Sequence, residues 1–383
     1  MSADSHIVIL GAGFAALKAI REIRRRAPNI RITLVAPAPE FVYLPSLIWV
    51  PTGLRDPDAL RIPLDDFLRR HRVDFRAARA TGLADGGRCV QTDRGDILND
   101  GLIIATGGRF IRSLPGIEHA HIPCAGTEAV QAVRERLVAM EQGRLAFGFG
   151  TNPREPAAMR GGPLFELLFG IDTWLRRRGC RERFDLSFFH ASERPGQRLG
   201  ERAVTALLAE MRARSIRLAL GHPPRGFTPK AVDTAGGPIP ADMILFMPGM
   251  TGPDWAEASG LPLSPGGFFQ ADAHCRIQGP ERVYVAGDAG SYPGPDWLPK
   301  QAHMAELQAT AAARNLLAEL AGSAPRARPR PELLCVIDAL DNGTLVYRSA
   351  RQSWLLPGSR LFHWAKKRFE SHYLDNLRKG AAR

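Results

Sequence analysis

The residues best placed for chemistry form a glycine-rich turn near the start of the 383-residue chain. Gly11, Gly13 and Ala16 follow an apolar, β-branched run at residues 7–10 and precede a segment whose apolar residues recur with helical spacing. In a strand–turn–helix unit, the first glycine permits a tight turn and the second lets backbone N–H groups approach a pyrophosphate. The third small residue lets the helix pack closely on the strand. The turn therefore predicts a dinucleotide-binding site.

The second predicted strand, at residues 30–35, follows at the distance that such a site requires. The acidic residue that usually ends this strand and binds a ribose hydroxyl is absent, because Ala36 occupies its position. Glu40 is the nearest carboxylate, and the sequence leaves open whether it takes over this role.

Two later apolar runs end in short motifs that belong at the same edge of the sheet. The motifs are Ala105-Thr106-Gly107 and Gly287-Asp288. A carboxylate at the carboxyl end of a strand is well placed, because ligands of open α/β sheets bind there. The helix predicted from residue 298 to about residue 320 points its N-terminus at this place and would stabilise negative charge.

A second glycine turn, at Gly148 and Gly150, follows another apolar strand and begins a second α/β domain. Its third position is Pro153, and a long loop separates it from the helix predicted over residues 164–178. Because the turn lacks the close-packing residue, the sequence favours an α/β domain kept for its shape. It leaves an NAD(P)H site open as the alternative.

The composition is that of a multidomain α/β protein. With 45% apolar residues the chain can bury two or three cores, and 38 glycines and 30 prolines indicate many turns. No signal sequence is evident and no apolar run reaches the roughly 18–20 residues of a membrane span, which predicts a cytoplasmic protein. The formal net charge of +12 favours an acidic partner, or else reflects general arginine enrichment. Nucleic acid is not predicted as a partner, because no nucleic-acid-reading motif accompanies the charge.

The cysteines are scattered along the chain. There are five of them, with no Cys-x-x-Cys pair and no spacing typical of a metal site, so no metal is predicted. Any pair of cysteines that acts together must be assembled by the fold.

The C-terminal region follows a proline- and arginine-rich linker at residues 324–331. Its aromatic residues, among them Trp354, Trp364 and Phe369, are interleaved with lysines and arginines. This pattern suggests an amphipathic helix that lies on an anionic membrane surface. The alternative is a helix that packs on its own domain and turns a basic face to water.

Taken in order, these features resemble the two-dinucleotide-domain flavoprotein superfamily. Three segments narrow the resemblance to sulfide:quinone oxidoreductases and flavocytochrome c sulfide dehydrogenases: Phe-Val-Tyr-Leu-Pro-Ser-Leu at 41–47, Pro-Lys-Gln-Ala-His-Met-Ala-Glu at 299–306 and His-Trp-Ala-Lys at 363–366. The resemblance implies an α/β fold with two Rossmann-like domains and a small C-terminal region. The implied regions are an FAD domain (1–115 and 255–322), an inserted second domain (116–254) and a quinone- and membrane-interacting region (323–383).

The resemblance also implies a cofactor and an activity. FAD, bound non-covalently or through a cysteine, would take electrons from sulfide or another small reduced substrate and pass them to a membrane quinone. The protein would lie on the inner face of the cell membrane, and a homo-oligomer is left open. The residues implied to bind FAD are Gly11, Gly13, Phe14, Ala15, Ala36, Pro45, Ala105, Thr106, Gly107, Gly287, Asp288, Lys300 and Gln301.

Three residues are implied to be catalytic. Cys124 and Cys335 match two cysteines of the resembled enzymes, and Lys300 is a cation beside the flavin or the quinone. The remaining cysteine of that pattern should follow the second glycine turn, but residues 152–163 contain none. Three explanations stay open: the two cysteines suffice, the substrate is not sulfide, or the sulfide-oxidising chemistry is lost. The alternative functions are a type II NADH:quinone dehydrogenase and a flavin-binding protein without turnover.

Overall fold

The computed structural model describes residues 5–379. The α-helices in this range are α1 (Phe14–Arg26), α2 (Asp65–Arg70), α3 (Thr127–Ala139), α4 (Gly162–Arg177), α5 (Glu201–Ala213), α6 (Ala302–Leu320) and α7 (Arg360–Lys379).

The strands are short and arranged in several sheets. In chain order they are β1 (His6–Leu10), β2 (Arg31–Ala36), β3 (Glu40–Val42), β4 (Arg61–Pro63), β5 (Asp74–Ala77), β6 (Ala80–Ala84), β7 (Cys89–Thr92), β8 (Ile97–Leu98), β9 (Gly101–Ile104), β10 (Arg109–Phe110), β11 (Gly143–Phe149), β12 (Phe184–His190), β13 (Arg217–Leu220), β14 (Pro224–Thr228), β15 (Ala231–Thr234), β16 (Ile239–Pro240), β17 (Met243–Met247), β18 (Met250–Thr251), β19 (Phe269–Gln270), β20 (Val283–Val285), β21 (Gly290–Ser291), β22 (Glu332–Asp338), β23 (Gly343–Ser349) and β24 (Ser353–Ser359).

The first large sheet is parallel and has the strand order β20-β9-β1-β2-β5. Its inner strands read as continuous apolar runs, as expected of strands that are covered on both faces. Helices α1 and α6 pack against each other and share a core with this sheet, in which Ile20 and Leu316 are fully buried. The carboxyl ends of β1, β9 and β20 therefore lie side by side.

The second large sheet is also parallel, with the order β13-β12-β11-β17. Its core with α4 and α5 is rich in aromatic residues, and Phe147, Phe165 and Phe188 are almost completely buried. These two parallel sheets provide two edges at which a ligand can bind.

The C-terminal region forms an antiparallel sheet, β22-β23-β24, followed by α7. The second half of α7 packs on the first domain, because Leu374 and Leu377 are buried in the core that contains α1. Its first half exposes Leu361 and Trp364. Among residues 5–379, no helix is both long and apolar enough to cross a membrane.

Candidate active site

The first glycine turn lies at the carboxyl end of β1. Gly11 has a φ of +98°, and a Cβ on it would lie 2.4 Å from the carbonyl oxygen of Ala105, so only glycine fits. Gly13 is the N-cap of α1, and within residues 5–379 no side chain caps this helix. A Cβ on Gly13 would meet no atom within 4 Å. Uncapped N–H groups, open space and the helix dipole together suit an anionic pyrophosphate.

Phe14 and Ala15 form the first turn of α1. The ring of Phe14 packs edge-on against Phe41, with 4.8 Å between the ring centroids. The Cβ of Ala15 lies 3.3 Å from the place that a Cβ on Gly287 would occupy. Because both side chains are used in packing, their backbone N–H groups are what they offer to a phosphate.

Ala36 ends β2 and is buried, with no side-chain polar atom for a ribose hydroxyl. Glu40 does not stand free to replace the missing acid, since its Oε2 lies 3.1 Å from Nε of Arg61. The strand end therefore lacks the usual ribose contact.

The loop after β9 carries an unsatisfied hydroxyl. The N–H of Ala105 donates to the carbonyl oxygen of Leu10 at 2.9 Å, which ties this loop to the first turn. Oγ1 of Thr106 is buried and has no hydrogen-bond partner within residues 5–379. Gly107 follows with a φ of +73°. A buried hydroxyl without a partner is what a polar cofactor in this crevice would satisfy.

The loop after β20 brings a carboxylate to the same crevice. Gly287 has a φ of +77° and donates its N–H to Oε1 of Gln308 at 3.0 Å. Asp288 is only 8% exposed. Gln301 is the N-cap of α6, and its Nε2 donates to the carbonyl oxygen of Leu334 at 3.2 Å. Three loops from three adjacent strands thus surround one site, and the residues present fit a dinucleotide.

Cys124 lies in the 3-10 helix Pro123–Ala125, just before α3, and is 7% exposed. The 3-10 helix Leu44–Trp49, which contains the half-buried Pro45, packs against this turn and against α4. Burial raises the pKa of the Cys124 thiol to about 11, although the guanidinium of Arg160 acts in the opposite direction. The thiol is therefore protonated near neutral pH.

Cys335 lies in β22 and faces the N-terminus of α4. Its Sγ is 3.9 Å from the place that a Cβ on Gly162 would occupy. Burial raises its pKa to about 12, and the carboxylate of Glu166 adds to the shift while the ammonium of Lys366 opposes it. Lys366 forms an ion pair with Glu166. Cys335 and Cys124 both pack in the hydrophobic core that contains Leu164 and Phe165, and both are free thiols.

Lys300 lies beside Asp288, just before α6. Its Nζ donates to the carbonyl oxygens of Gly290 at 2.9 Å and Asp288 at 3.2 Å, and lies 3.7 Å from the ring centroid of Phe268. Burial lowers the pKa of Lys300 to about 8, and the nearby charge of Arg198 adds to this effect. The amine therefore carries most of its charge at pH 7 but loses it readily at higher pH.

Two arginines at this site were not predicted from the sequence. Arg160, in the loop that lacks a cysteine, binds the carboxylate of Asp288. Arg198 donates from Nη1 to the carbonyl oxygen of Met159 at 3.3 Å and from Nη2 to that of Leu298. Each arginine follows a strand of the second sheet, β11 or β12, at the edge where the carboxyl ends lie. Their position after these two strands is the signal by which the sequence could have identified them.

The second glycine turn does not lead directly into a helix. Residues 150–161 form a loop, and Nδ2 of Asn152 donates to the carbonyl oxygens of Met250 at 2.9 Å and Gly266 at 3.0 Å. The loop passes so close to Gly249 that a Cβ there would lie 2.2 Å from the backbone of Thr151. The strand–turn–helix geometry that holds a nicotinamide dinucleotide is therefore not formed at this turn.

Residues 5–309 match the protein family described as pyridine nucleotide-disulphide oxidoreductase. The chain belongs to this family. Sulfide-quinone reductase of Aquifex aeolicus (strain VF5) is 23% identical over 401 residues, which cover 98% of this chain and 91% of that protein.

Solved structures show the same fold. The X-ray structure of the sulfide:quinone oxidoreductase from Aquifex aeolicus superposes with a TM-score of 0.89 at 20% identity, covering 98% of this chain and 92% of that chain. NDH2 from Plasmodium falciparum, solved in complex with RYL-552, gives a TM-score of 0.75 at 10% identity, covering 97% of this chain and 95% of that chain.

These matches confirm the predicted α/β fold class, the resemblance to sulfide:quinone oxidoreductases and the predicted cofactor. The chain is an FAD-dependent oxidoreductase. The domain boundaries, the roles of individual residues and the membrane contact of the C-terminal region remain predictions.

Proposed function

We propose that this enzyme oxidises a small reduced sulfur compound and passes the electrons to a membrane quinone. The observation that carries the proposal is that Cys335 and Cys124 pack in one hydrophobic core with Leu164 and Phe165, in the segment that follows Arg160, which binds Asp288 of the cofactor crevice. The similarity to a sulfide-quinone reductase along 98% of this chain supports it.

Bound FAD would accept two electrons from the sulfur compound and release them to the quinone. The N-terminus of α1, with Gly11 and Gly13, would hold the pyrophosphate, and Oγ1 of Thr106 would gain a hydrogen-bond partner. Asp288 would hold the ribityl chain. The N-terminus of α6 and the Lys300 ammonium would stabilise negative charge on the flavin.

Cys335 is the thiol that meets the sulfur compound, because it is half-buried whereas Cys124 is buried. With a pKa of about 12, its thiol must give up a proton before it can act as a nucleophile, and the two electrons released when a sulfur–sulfur bond forms would be accepted by FAD. Glu166 is the carboxylate whose charge acts on this thiol, and burial raises the pKa of Glu166 to about 7, although Lys366 opposes the shift. A carboxylate near the thiol favours the protonated form of the thiol, and Glu166 itself is ion-paired with Lys366.

The proposal is tested by anaerobic reduction of the bound flavin. Sulfide and NADH are compared as reductants, and a soluble quinone is added after each of them. The absorbance of the flavin at about 450 nm is monitored. We expect sulfide to bleach the flavin and the quinone to restore it. Cys335→Ser should slow the bleaching by roughly 100-fold or more, and the control Cys180→Ser should not.

The other outcomes separate the alternatives. Bleaching by NADH and not by sulfide would overturn the sulfur proposal and favour a type II NADH:quinone dehydrogenase, the class suggested by the fold match to NDH2. Bleaching by neither sulfide nor NADH would indicate another substrate or a flavin-binding protein without turnover.

The proposed contact with the membrane rests on an exposed apolar patch in the C-terminal region. We define the apolar patch as the five residues of β24 and α7 that expose between 42% and 63% of their surface: Trp354, Leu356, Leu361, Trp364 and Phe369. Exposed arginines, among them Arg360 and Arg368, accompany it. Apolar anchors with basic neighbours favour an anionic lipid surface, as on the inner face of a cell membrane, where a quinone is available.

A further inference from the structure

Positive charge is concentrated beside the cofactor crevice. We define the cation cluster as Arg160, Arg198 and Lys300. Arg160 binds Asp288, and Lys300 binds the backbone carbonyl of the same residue. The charge of Arg160 also acts on the Cys124 thiol. The cation cluster therefore borders the crevice at Asp288.

The charges of the cation cluster are poorly neutralised. Arg198 and Lys300 donate to backbone carbonyl oxygens, which carry no formal charge. The carboxylates whose charge acts on Lys300 are Asp288 and Glu155, and Glu155 is held by a 2.5 Å hydrogen bond from Ser264. The three cations are thus paired with one directly bound carboxylate, that of Asp288.

The cation cluster also has unused hydrogen-bond donors. Within residues 5–379, Arg160 donates only from Nη2, to Asp288, which leaves Nε and Nη1 for another acceptor. Nε of Arg198 is buried and has no partner in the same range. An unpaired buried donor such as Nε of Arg198 is costly, so a ligand that pairs it gains affinity, while the Arg160 side chain is 20% exposed and can reach the same ligand.

We infer that the reductant of this enzyme carries an oxyanion group, a carboxylate or a sulfur oxyanion, that Arg160 and Arg198 bind. The inference rests on the proposed function and names the class of its substrate. Arg160 and Arg198 each retain a donor, and the oxygens of one oxyanion can accept from both, whereas a hydrosulfide ion offers a single acceptor atom. The resembled enzymes have a cysteine in the loop where this chain has Arg160. In this chain, a residue that binds the anionic group of the substrate would thus stand in the loop that carries a thiol in those enzymes.

A competing explanation is that the cation cluster only balances negative charge on the flavin. The two explanations differ in what the ligand must carry. The test uses the FAD-loaded, full-length protein under anaerobic conditions and follows perturbation or bleaching of the flavin spectrum. The probes are 3-mercaptopropionate and thiosulfate, which carry an oxyanion, and 2-mercaptoethanol, which carries a thiol without one. Propionate serves as a probe that has no sulfur.

We expect half-saturation by 3-mercaptopropionate or thiosulfate at a concentration at least about 10-fold below that of 2-mercaptoethanol. Arg160→Gln and Arg198→Gln should each raise it by roughly 10- to 100-fold, because each removes a charge-assisted hydrogen bond. Arg160→Lys should recover only part, since it keeps the charge and loses the fork. Arg154→Gln removes an exposed charge from the same loop and is the matched control, with no change expected.

Equal half-saturation by the three sulfur probes, or an unchanged value in Arg160→Gln that retains its flavin, would overturn the inference. The relative strength of 3-mercaptopropionate and thiosulfate shows which oxyanion the site prefers. Sulfide carries no oxyanion, so its rate of bleaching reports on the proposed function independently. If sulfide and the thiols leave the flavin oxidised while propionate perturbs it in an Arg160-dependent way, the proposed function fails and the oxyanion site stands.

Discussion

At the scale of single residues, the two glycines of the first turn are required for different reasons. A Cβ on Gly11 would meet the backbone of the Ala105 loop, whereas a Cβ on Gly13 would enter open space, where we propose that the pyrophosphate of FAD binds. Gly11→Ala should lower the free energy of unfolding of the flavin-free protein by about 2–4 kcal/mol, because it adds left-handed strain to a steric clash. Gly13→Ala should leave that free energy nearly unchanged and reduce FAD retention.

Urea denaturation of the flavin-free variants and the flavin-to-protein absorbance ratio of the loaded ones measure the two effects. Equal destabilisation of the flavin-free protein by both substitutions would contradict the assignment of Gly13 to the phosphate contact.

Lys300 makes stability depend on pH. Its pKa is about 8 in the folded protein against an ordinary value of 10.5, so between these pH values the unfolded chain binds more protons. Stability therefore rises with pH across this window, and the cost of the buried charge is fully present below it. Lys300→Met removes that cost. Its Tm relative to the unsubstituted flavin-free protein should be most favourable at pH 7 and should fall as the pH approaches 10.

Thermal unfolding at several pH values checks this expectation, with Lys18→Met, a half-buried lysine on α1, as the control. A Tm difference between Lys300→Met and the unsubstituted protein that does not vary with pH would show that burial of the charged Lys300 does not lower stability.

At the scale of elements, Asp338 joins three parts of the chain. Its Oδ1 accepts from Nε1 of Trp49 at 3.1 Å and from the N–H of Leu340 at 2.8 Å, and its Oδ2 lies 2.7 Å from Nδ1 of His363. Asp338 thereby ties β22 to α7 and to the 3-10 helix Leu44–Trp49, which packs on α4. These links hold Cys335, which lies in β22, near the N-terminus of α4.

Asp338→Ala should lower the free energy of unfolding by about 3 kcal/mol or more, because it leaves buried donors without an acceptor. Asp341→Ala, in the following turn and 45% exposed, is the matched control and should change it little. Chemical denaturation measures both variants. A similar effect of the two substitutions would show that Asp338 is not a specific link between these elements.

At the scale of the whole molecule, α7 has two different halves. Its second half is part of the fold, since Leu374 and Leu377 are buried and Glu370 forms an ion pair with Arg55. Removal of the whole helix would therefore damage the core. Substitution of exposed residues in its first half is the cleaner test of membrane contact.

The variant Leu361→Ser/Trp364→Ser/Phe369→Ser should lose most flotation with vesicles that contain anionic lipid, because it removes three exposed apolar anchors. Leu98→Ser/Val138→Ser removes exposed apolar residues elsewhere and should float as the unsubstituted protein does. Equal flotation of the two variants would contradict the proposed membrane surface.

Local sequence was sufficient for the fold class and for the cofactor crevice. The turn at Gly11 and Gly13, the Thr106 loop and Asp288 all follow short apolar strands, and parallel strands place their carboxyl ends together whatever lies between them in the chain. A motif of this kind is readable because strand, turn and helix are neighbours in sequence.

The charge of the site could not be predicted in this way. Arg160 meets Asp288, and Arg198 meets Leu298, across long stretches of intervening chain. Arginine is abundant in this sequence and most arginines stay on the surface, so residue type alone did not single these out. Their importance comes from burial against the partners to which the tertiary structure brings them. The sequence by itself determined the α/β fold class and the FAD cofactor, whereas only the packing of distant segments brought Arg160 to Asp288 and Arg198 to Leu298.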